Sequence, residues 1–361
     1  MSIRSRVDVA IIGAGISGLT AARSLTRAGI SIRCLEARDR VGGRVQSIST
    51  GRFGVDLGAT WFWPNEVNVA SLVRELDVPV FVQYLDGDAL FEPDTSGTRR
   101  VQGNPIDVPS MRFTWGAQSL ANRIADELPS QSLSLRDPVS TVRVANEGVE
   151  VESASGTIHA NQLIIAVSPV LAAEAIDFAP SLPARLLDVC TRTQVWMGNT
   201  VKVVAHYDEP FWRLAGLAGA AVSYRGPFRE IHDHSGPEGS DAALFGFAAA
   251  DDFRGREDSW IGESFVAQLE RIFGRDASSP RSVHVLDWSR ERWTTPKNPA
   301  PRASTDTYGH PIFHAPFLGR LHWASTETAP SFAGHMEGGI LAGQRAARNA
   351  MLGINGLDGS S

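Results

Sequence analysis

Cysteine is almost missing. Cys34 and Cys190 are the two in 361 residues, which excludes a disulfide framework and a thiolate zinc cage and fits a reducing compartment. A charge excess is missing as well. Against 34 basic residues stand 40 acidic ones, a formal charge of −6, so no basic field invites nucleic acid and no block of one sign reads as a tail. No apolar run is long enough to span a membrane, because Asp8, Pro169 or glycines interrupt each one. There is no internal repeat and no Gly-x-Ser-x-Gly nucleophile motif. His232, Asp233 and His234 lie beside Gly236 and Pro237 with no spaced third ligand, so no metal is expected. Arg4 and Arg6 before an apolar run ending at Ala21-Ala22 imitate a signal peptide, but that run carries a glycine pattern with another explanation. The expectation is a cytoplasmic protein with no membrane or nucleic-acid partner.

The glycine pattern is Gly13-Ala14-Gly15-Ile16-Ser17-Gly18. It follows a β-branched apolar run, Val7–Ile12, and precedes a helical segment that Gly29 stops. Ser31–Leu35 is a second short strand and ends in Glu36. Three glycines at this spacing allow a tight turn, close approach to a pyrophosphate and close helix packing. The helix N-terminus supplies unpaired N–H groups, and Glu36 suits the hydroxyls of a ribose. The alternative is a tight βα turn with no ligand. The unit does not choose between NAD and FAD. Downstream, Glu36–Arg44 brings paired Gly42 and Gly43 with Arg44, a phosphate partner, and Val55–Trp61 offers a small-residue turn where a flat ring could approach backbone.

Further along, Asn65–Leu76 and Ala117–Leu128 have helical periodicity. Phe91–Pro109 reads as loop or hairpin. Val139–Ala145, Val149–Ser153 and Gly156–His159 read as a β-meander, Leu163–Val167 as a separate buried strand, and Thr200–Tyr207 and Ala242–Ala248 as strands. Trp260–Phe273 reads as a helix, Leu321–Ala324 as the last strand, and Glu337–Leu352 as the last helix. Dinucleotide-domain features thus sit at both ends of the chain, with a second domain inserted between.

Three blocks, Val9–Arg44 with Asp56–Pro64, Val201–Arg213, and Leu321–Ala347, resemble the flavin-containing amine oxidase family. In the last block Ala324–Ala329 and Gly334–Gly339 are similar to the family's C-terminal signature. The resemblance implies an α/β fold. A discontinuous FAD domain (1–80, 112–190 and 315–353) would interleave with a smaller α+β substrate domain (81–111 and 191–314), and 354–361 would be a disordered tail. It implies cofactor contacts from Gly13, Gly15, Ile16, Ser17, Gly18, Glu36, Ala37, Arg38, Gly42, Gly43, Arg44, Gly58, Ala59, Thr60, Val142, Glu327 and Met336, with Val142 against adenine. Lys202 matches a lysine that holds a water near flavin N5, although the flanking Val201 and Val203 allow an outward-facing strand lysine. Trp288 matches a tryptophan near the flavin or is a core residue. Trp61 also falls in the substrate pocket.

The chain departs from the family in three places. Lys297–Pro311 has no cysteine where some members attach the flavin, so FAD is expected to be non-covalent. The pocket ring before Met336 is replaced by His335, with Tyr308 as the other ring; His335 then either lines the pocket or packs beside it. About twenty turn-rich residues at Phe91–Met111 stand where relatives carry a larger helical part. The pocket is therefore expected to be more open, or closed by a neighbouring subunit in a homo-oligomer. The implied reaction takes a small amine to an imine by hydride transfer to flavin N5, with O2 as acceptor and H2O2 as product. The alternatives are a desaturase or dehydrogenase with a non-amine substrate or another acceptor, and a non-catalytic flavin-binding partner protein.

Overall fold

The computed structural model describes residues 5–50, 53–297 and 304–358. An apolar run buried on both faces should alternate between two cores, and the first strand, β1 (Ser5–Ile12), does so. Val9 and Ile11 pack in one cluster with residues of helix α1 (Ile16–Arg27), whereas Ala10 and Ile12 pack in another with Trp323 and Phe313. β1 pairs in parallel with β2 (Ile32–Leu35) on one side and with the strand Gly156–Ile165 on the other. Leu321–Trp323 extends this sheet in parallel, so the two ends of the chain meet in one eight-stranded sheet.

Gly156–Ile165 is one ten-residue strand, where two separate strands were expected. The two expected strands, Gly156–His159 and Leu163–Val167, left Ala160–Gln162 between them. In the structure Gln162 is buried and its Oε1 meets His322 Nε2 at 2.8 Å, which satisfies it inside the sheet. The last helix also differs from expectation. It runs Met336–Asp358, past the expected end at Leu352. Ile354 packs on the core, and Gly353 lies close against the Gln162 side chain, so tertiary packing overrides the glycine's weak propensity. The tail expected to be disordered is therefore helical through Asp358; residues 359–361 lie outside the described residues.

The middle of the chain builds a second, seven-stranded sheet in the order Ser282–Asp287, Thr200–His206, Ala243–Ala249, Glu230–Asp233, Leu217–Ser223, Asp88–Glu92, Arg99–Val101. The last two strands form a hairpin on its edge, in the segment where a reduced cap was expected. One face, including Val201, Val203 and Leu244, packs on Phe265 and Leu269 of the helix Asp258–Phe273. The other face turns Val204 and Phe245 onto Val55 and Leu57 of the first domain. A strand covered on both sides leaves no outward direction for Lys202, which is 1% exposed.

Two helices fix the cavity between the domains. Helix α2 (Val67–Glu75) has no side chain of its own capping its N-terminus. The cap comes from the C-terminal helix: Glu337 accepts from the backbone N–H groups of Asn68 (3.0 Å) and Val69 (2.8 Å) and from the Asn68 amide. A carboxylate at a helix N-terminus satisfies orphan donors and the dipole together. Glu337→Ala is therefore expected to cost about 2 kcal/mol, read as a lower urea midpoint with unchanged slope.

Candidate active site

A cavity of about 390 Å³ runs between the two domains. At one end β2 delivers Glu36, which is buried and lines the cavity. Its carboxylate accepts from the N–H of Ala14 (2.7 Å) and of Arg38 (2.9 Å). Arg38 is held in turn by Glu291 at 3.0 Å and by the Thr294 hydroxyl at 2.7 Å, both from the second domain. Next comes the N-terminus of α1, with Gly13, Gly15, Ile16 and Ser17 lining the wall and no side chain capping the helix. Gly42 and Gly43 close over it. Both have positive φ (100° and 60°), and a Cβ on Gly43 would lie 3.3 Å from Gly15 Cα. This is a cradle for an anion that a side chain would fill. Gly18 stands behind the wall. A Cβ there would lie 1.9 Å from the Gly13 carbonyl, so its task is close packing of helix and turn.

Arg44 lines the cavity and pairs with the fully buried Glu327 through two hydrogen bonds. Burial opposes the charge on Arg44, but Glu327 outweighs it and the guanidinium stays charged. Glu327 is not on the wall; it acts through Arg44. Val142 is off the wall as well. It pairs with Val151 and is buried in the core beneath the meander, while Asp137, Pro138 and Val139 reach the cavity. The register shift between Val139 and Thr141 separates the two environments.

At the other end the turn Gly58-Ala59-Thr60 lines the cavity together with Met336, the first residue of the C-terminal helix. Lys202 sits behind this turn, outside the wall. Its Nζ donates to Gly58 O (3.1 Å) and Thr60 Oγ1 (2.5 Å) and lies 4.3 Å from the centre of the Phe245 ring. Burial pushes the ammonium below its ordinary range, opposed by the carboxylate of Asp56. Asp56 is itself fully buried and pushed up by that burial, and its Oδ2 accepts no hydrogen bond from the described residues.

Aromatic side chains shape the rest. Trp61, Trp63, Phe247, Trp288 and Trp293 line the cavity, and Trp288 Nε1 donates to Leu57 O at 2.9 Å. Trp288 is thus both core and wall, since no part of it reaches solvent. His335 lines the cavity half-exposed, with its ring centre 5.4 Å from that of Trp63. Tyr308 does not reach the wall. Its hydroxyl donates to Gln194 O (2.7 Å) and accepts from the Trp196 N–H (3.3 Å). The ring that faces the cavity is Trp196, 41% exposed. Only its place among nine tryptophans marked it in the sequence, and no spacing rule singled it out.

An uncapped helix N-terminus, a glycine cradle, a carboxylate at one end and a small-residue turn at the other suit the phosphates, ribose and flat ring of a dinucleotide. Two interleaved domains around such a cavity define a flavin-dependent oxidoreductase. The chain belongs to the flavin containing amine oxidoreductase family, whose model matches residues 16–115 and 107–351, and is a flavin-dependent amine oxidase. Among curated relatives, a probable flavin-containing monoamine oxidase A of Dictyostelium discoideum is 26% identical over 451 aligned positions, covering 94% of this chain and 96% of that protein. The L-amino acid dehydrogenase of Synechocystis sp. is 25% identical, covering 98% and 96%. Among solved structures, wild-type putrescine oxidase bound to putrescine shares the fold, with a TM-score of 0.87 at 23% identity over 97% of this chain and 100% of that one.

FAD is held without a covalent bond. Neither cysteine touches the cavity wall, and both thiols are buried and pushed up by burial. Acid precipitation of the yellow protein is expected to release all of its colour into the supernatant; a yellow pellet would contradict this.

Proposed function

We propose that the protein oxidises the carbon–nitrogen bond of a small amine to an imine, with O2 as the final electron acceptor and H2O2 as product. The observation that carries this reading is the aromatic end of the cavity, where Trp196, Trp63 and His335 stand beside Met336 and the Gly58–Thr60 turn. Bound FAD supplies the chemistry of accepting a hydride from the carbon beside the nitrogen and passing two electrons on. The protein's own share is placement, exclusion of water and electrostatics. Glu36 and Arg38 suit the adenosine end. The α1 N-terminus, Gly42, Gly43 and Arg44 suit the diphosphate. The start of the C-terminal helix directs N–H groups and a positive dipole end at the ring, favouring negative charge there. Trp61, Trp63 and Trp288 keep the reacting end dry.

In this reading Lys202 supplies a cation behind the Gly58–Thr60 turn. Its effect is electrostatic, because the turn stands between it and the cavity. An ammonium pressed down by burial loses its proton earlier than an ordinary lysine as pH rises, so any step that depends on its charge weakens on the alkaline side. Lys202→Met is expected to slow reoxidation by O2 on the order of 100-fold, with a smaller effect on reduction by the amine. Unchanged reoxidation would remove this role.

A second reading has the same amine chemistry with an acceptor other than O2. It is favoured by the hydrogen bonds that keep Lys202 on the turn and by the relative named L-amino acid dehydrogenase. An anaerobic amine panel followed by air separates the two. Bleaching of the flavin by an amine, then recovery with stoichiometric peroxide, is expected. Bleaching with slow recovery in air selects the dehydrogenase, and no bleaching by any amine rejects amine oxidation.

A further inference from the structure

An amine that binds as its ammonium ion has no lone pair to help expel a hydride from the neighbouring carbon. Something must take a proton first. A base for this task needs an unshared nitrogen or oxygen on the cavity wall, a second group to fix its tautomer, and a route by which the proton reaches water. Lys202 fails, being behind the turn. Glu36 stands at the far end, held by two backbone N–H groups. Glu337 is spent on the N-terminus of α2.

His335 meets all three requirements. Its Nδ1 lies 2.8 Å from Glu66 Oε1. The Glu66 side chain is 1% exposed, and its other oxygen accepts from the Trp63 N–H at 3.0 Å, so the carboxylate cannot swing away. An ionised carboxylate accepts only, so Nδ1 carries the proton and Nε2 is left as the acceptor. Nε2 has no hydrogen-bond partner among the described residues. The ring lines the cavity, and the side chain is 46% exposed at its mouth.

Building on the reading above, we infer that His335 is the proton acceptor for the substrate ammonium and that Glu66 is its positioning residue. An N–H bond of the ammonium breaks, its electron pair stays on the amine nitrogen, and an Nε2–H bond forms on His335. The exposed edge of the ring then returns the proton to water. No redox partner enters this step.

The surroundings support the assignment. The hydrogen bond to Glu66 raises the imidazole above its ordinary range, with burial acting the other way. Three other charged groups nearby are engaged elsewhere. Glu337 caps α2, Glu327 holds Arg44, and Lys202 is bound to the turn. Trp63 and Phe332 contribute uncharged rings. Glu66 is thus the charge that sets the behaviour of His335.

The test uses the holoenzyme in two measurements. Anaerobic flavin reduction by benzylamine is followed from about pH 6 to about pH 10. His335→Gln is expected to slow reduction on the order of 100-fold and to remove the limb on which the rate falls as His335 protonates at low pH. Glu66→Gln is expected to keep that limb but move it to lower pH. Without any turnover, the His335 ring titration, identified by NMR as the signal lost in His335→Gln, should fall towards about 6.5 in Glu66→Gln. A His335→Gln enzyme that keeps both rate and limb, or a titration that Glu66→Gln does not move, overturns the assignment. Wild-type flavin that no amine reduces removes the amine reading and this step with it.

Discussion

The seam between the two domains depends on charges that neither domain could bury alone. Asp56 and Lys202 come from different sheets and are both essentially sealed from water. Arg112 joins them, fully desolvated, and donates to the carbonyls of Ser235 (2.7 Å) and His234 (3.1 Å). His234 in turn accepts from the Asp56 N–H at 3.0 Å. Removing one member of such a group leaves an uncompensated charge in low dielectric, which costs far more than the pair itself contributes. The domains therefore have one relative placement that brings these groups together, with Asp56 Oδ2, Arg112 Nε and His234 Nδ1 left without a hydrogen-bond partner among the described residues. In that placement the Gly58–Thr60 turn lies against the second sheet, and the cavity wall follows from it.

Much of this was legible in the sequence, and the reason is local. The βαβ unit, its glycines and Glu36 are contiguous, and each does its work within a few residues of its neighbours. Lys202 was harder. Period two placed it opposite Val201 and Val203, which is correct, but the face opposite the α-helix is the domain seam and not solvent. Nothing near Lys202 in the chain says so; Val55, Leu57 and Trp61, far upstream, cover that face. Tyr308 and Trp196 show the same limit. They are 112 positions apart and hydrogen-bonded, so which of the two rings meets the cavity is a matter of how two loops stack. Val142, expected at the cofactor from the family resemblance alone, lies in the core and off the cavity wall, and the last helix outran its expected end because Gln162 and the core receive Gly353 and Ile354.

The segment where relatives were expected to carry a larger helical part is short here. A hairpin, Asp88–Glu92 with Arg99–Val101, completes the edge of the second sheet. The Dictyostelium relative aligns over 451 positions, more than the 361 residues present here. Trp196, on the cavity wall, is 41% exposed. The 46% exposure of the His335 side chain gives its ring, in the proton-transfer step proposed above, a direct way to shed its proton.

Rigidity around that ring comes from two carboxylates exchanged between elements. Glu66, just before α2, reaches the histidine that precedes the C-terminal helix. Glu337, in the first turn of that helix, reaches back to the N–H groups of Asn68 and Val69. Each helix start thus holds a buried anion belonging to the other. Displacing either helix would strip hydrogen bonds from both carboxylates at once, so the two move together or not at all. The consequence is a histidine fixed by the fold on the cavity wall. Its imidazole is oriented without any contribution from the substrate, whereas the Trp196 ring is held by a backbone bond to Tyr308 and by an indole bond to Gly334 O. The His335 ring is therefore set by a bond to a carboxylate and the Trp196 ring by bonds to neutral groups. The preorganisation that the proposed proton transfer needs falls on the ring held by the charged and shorter bond.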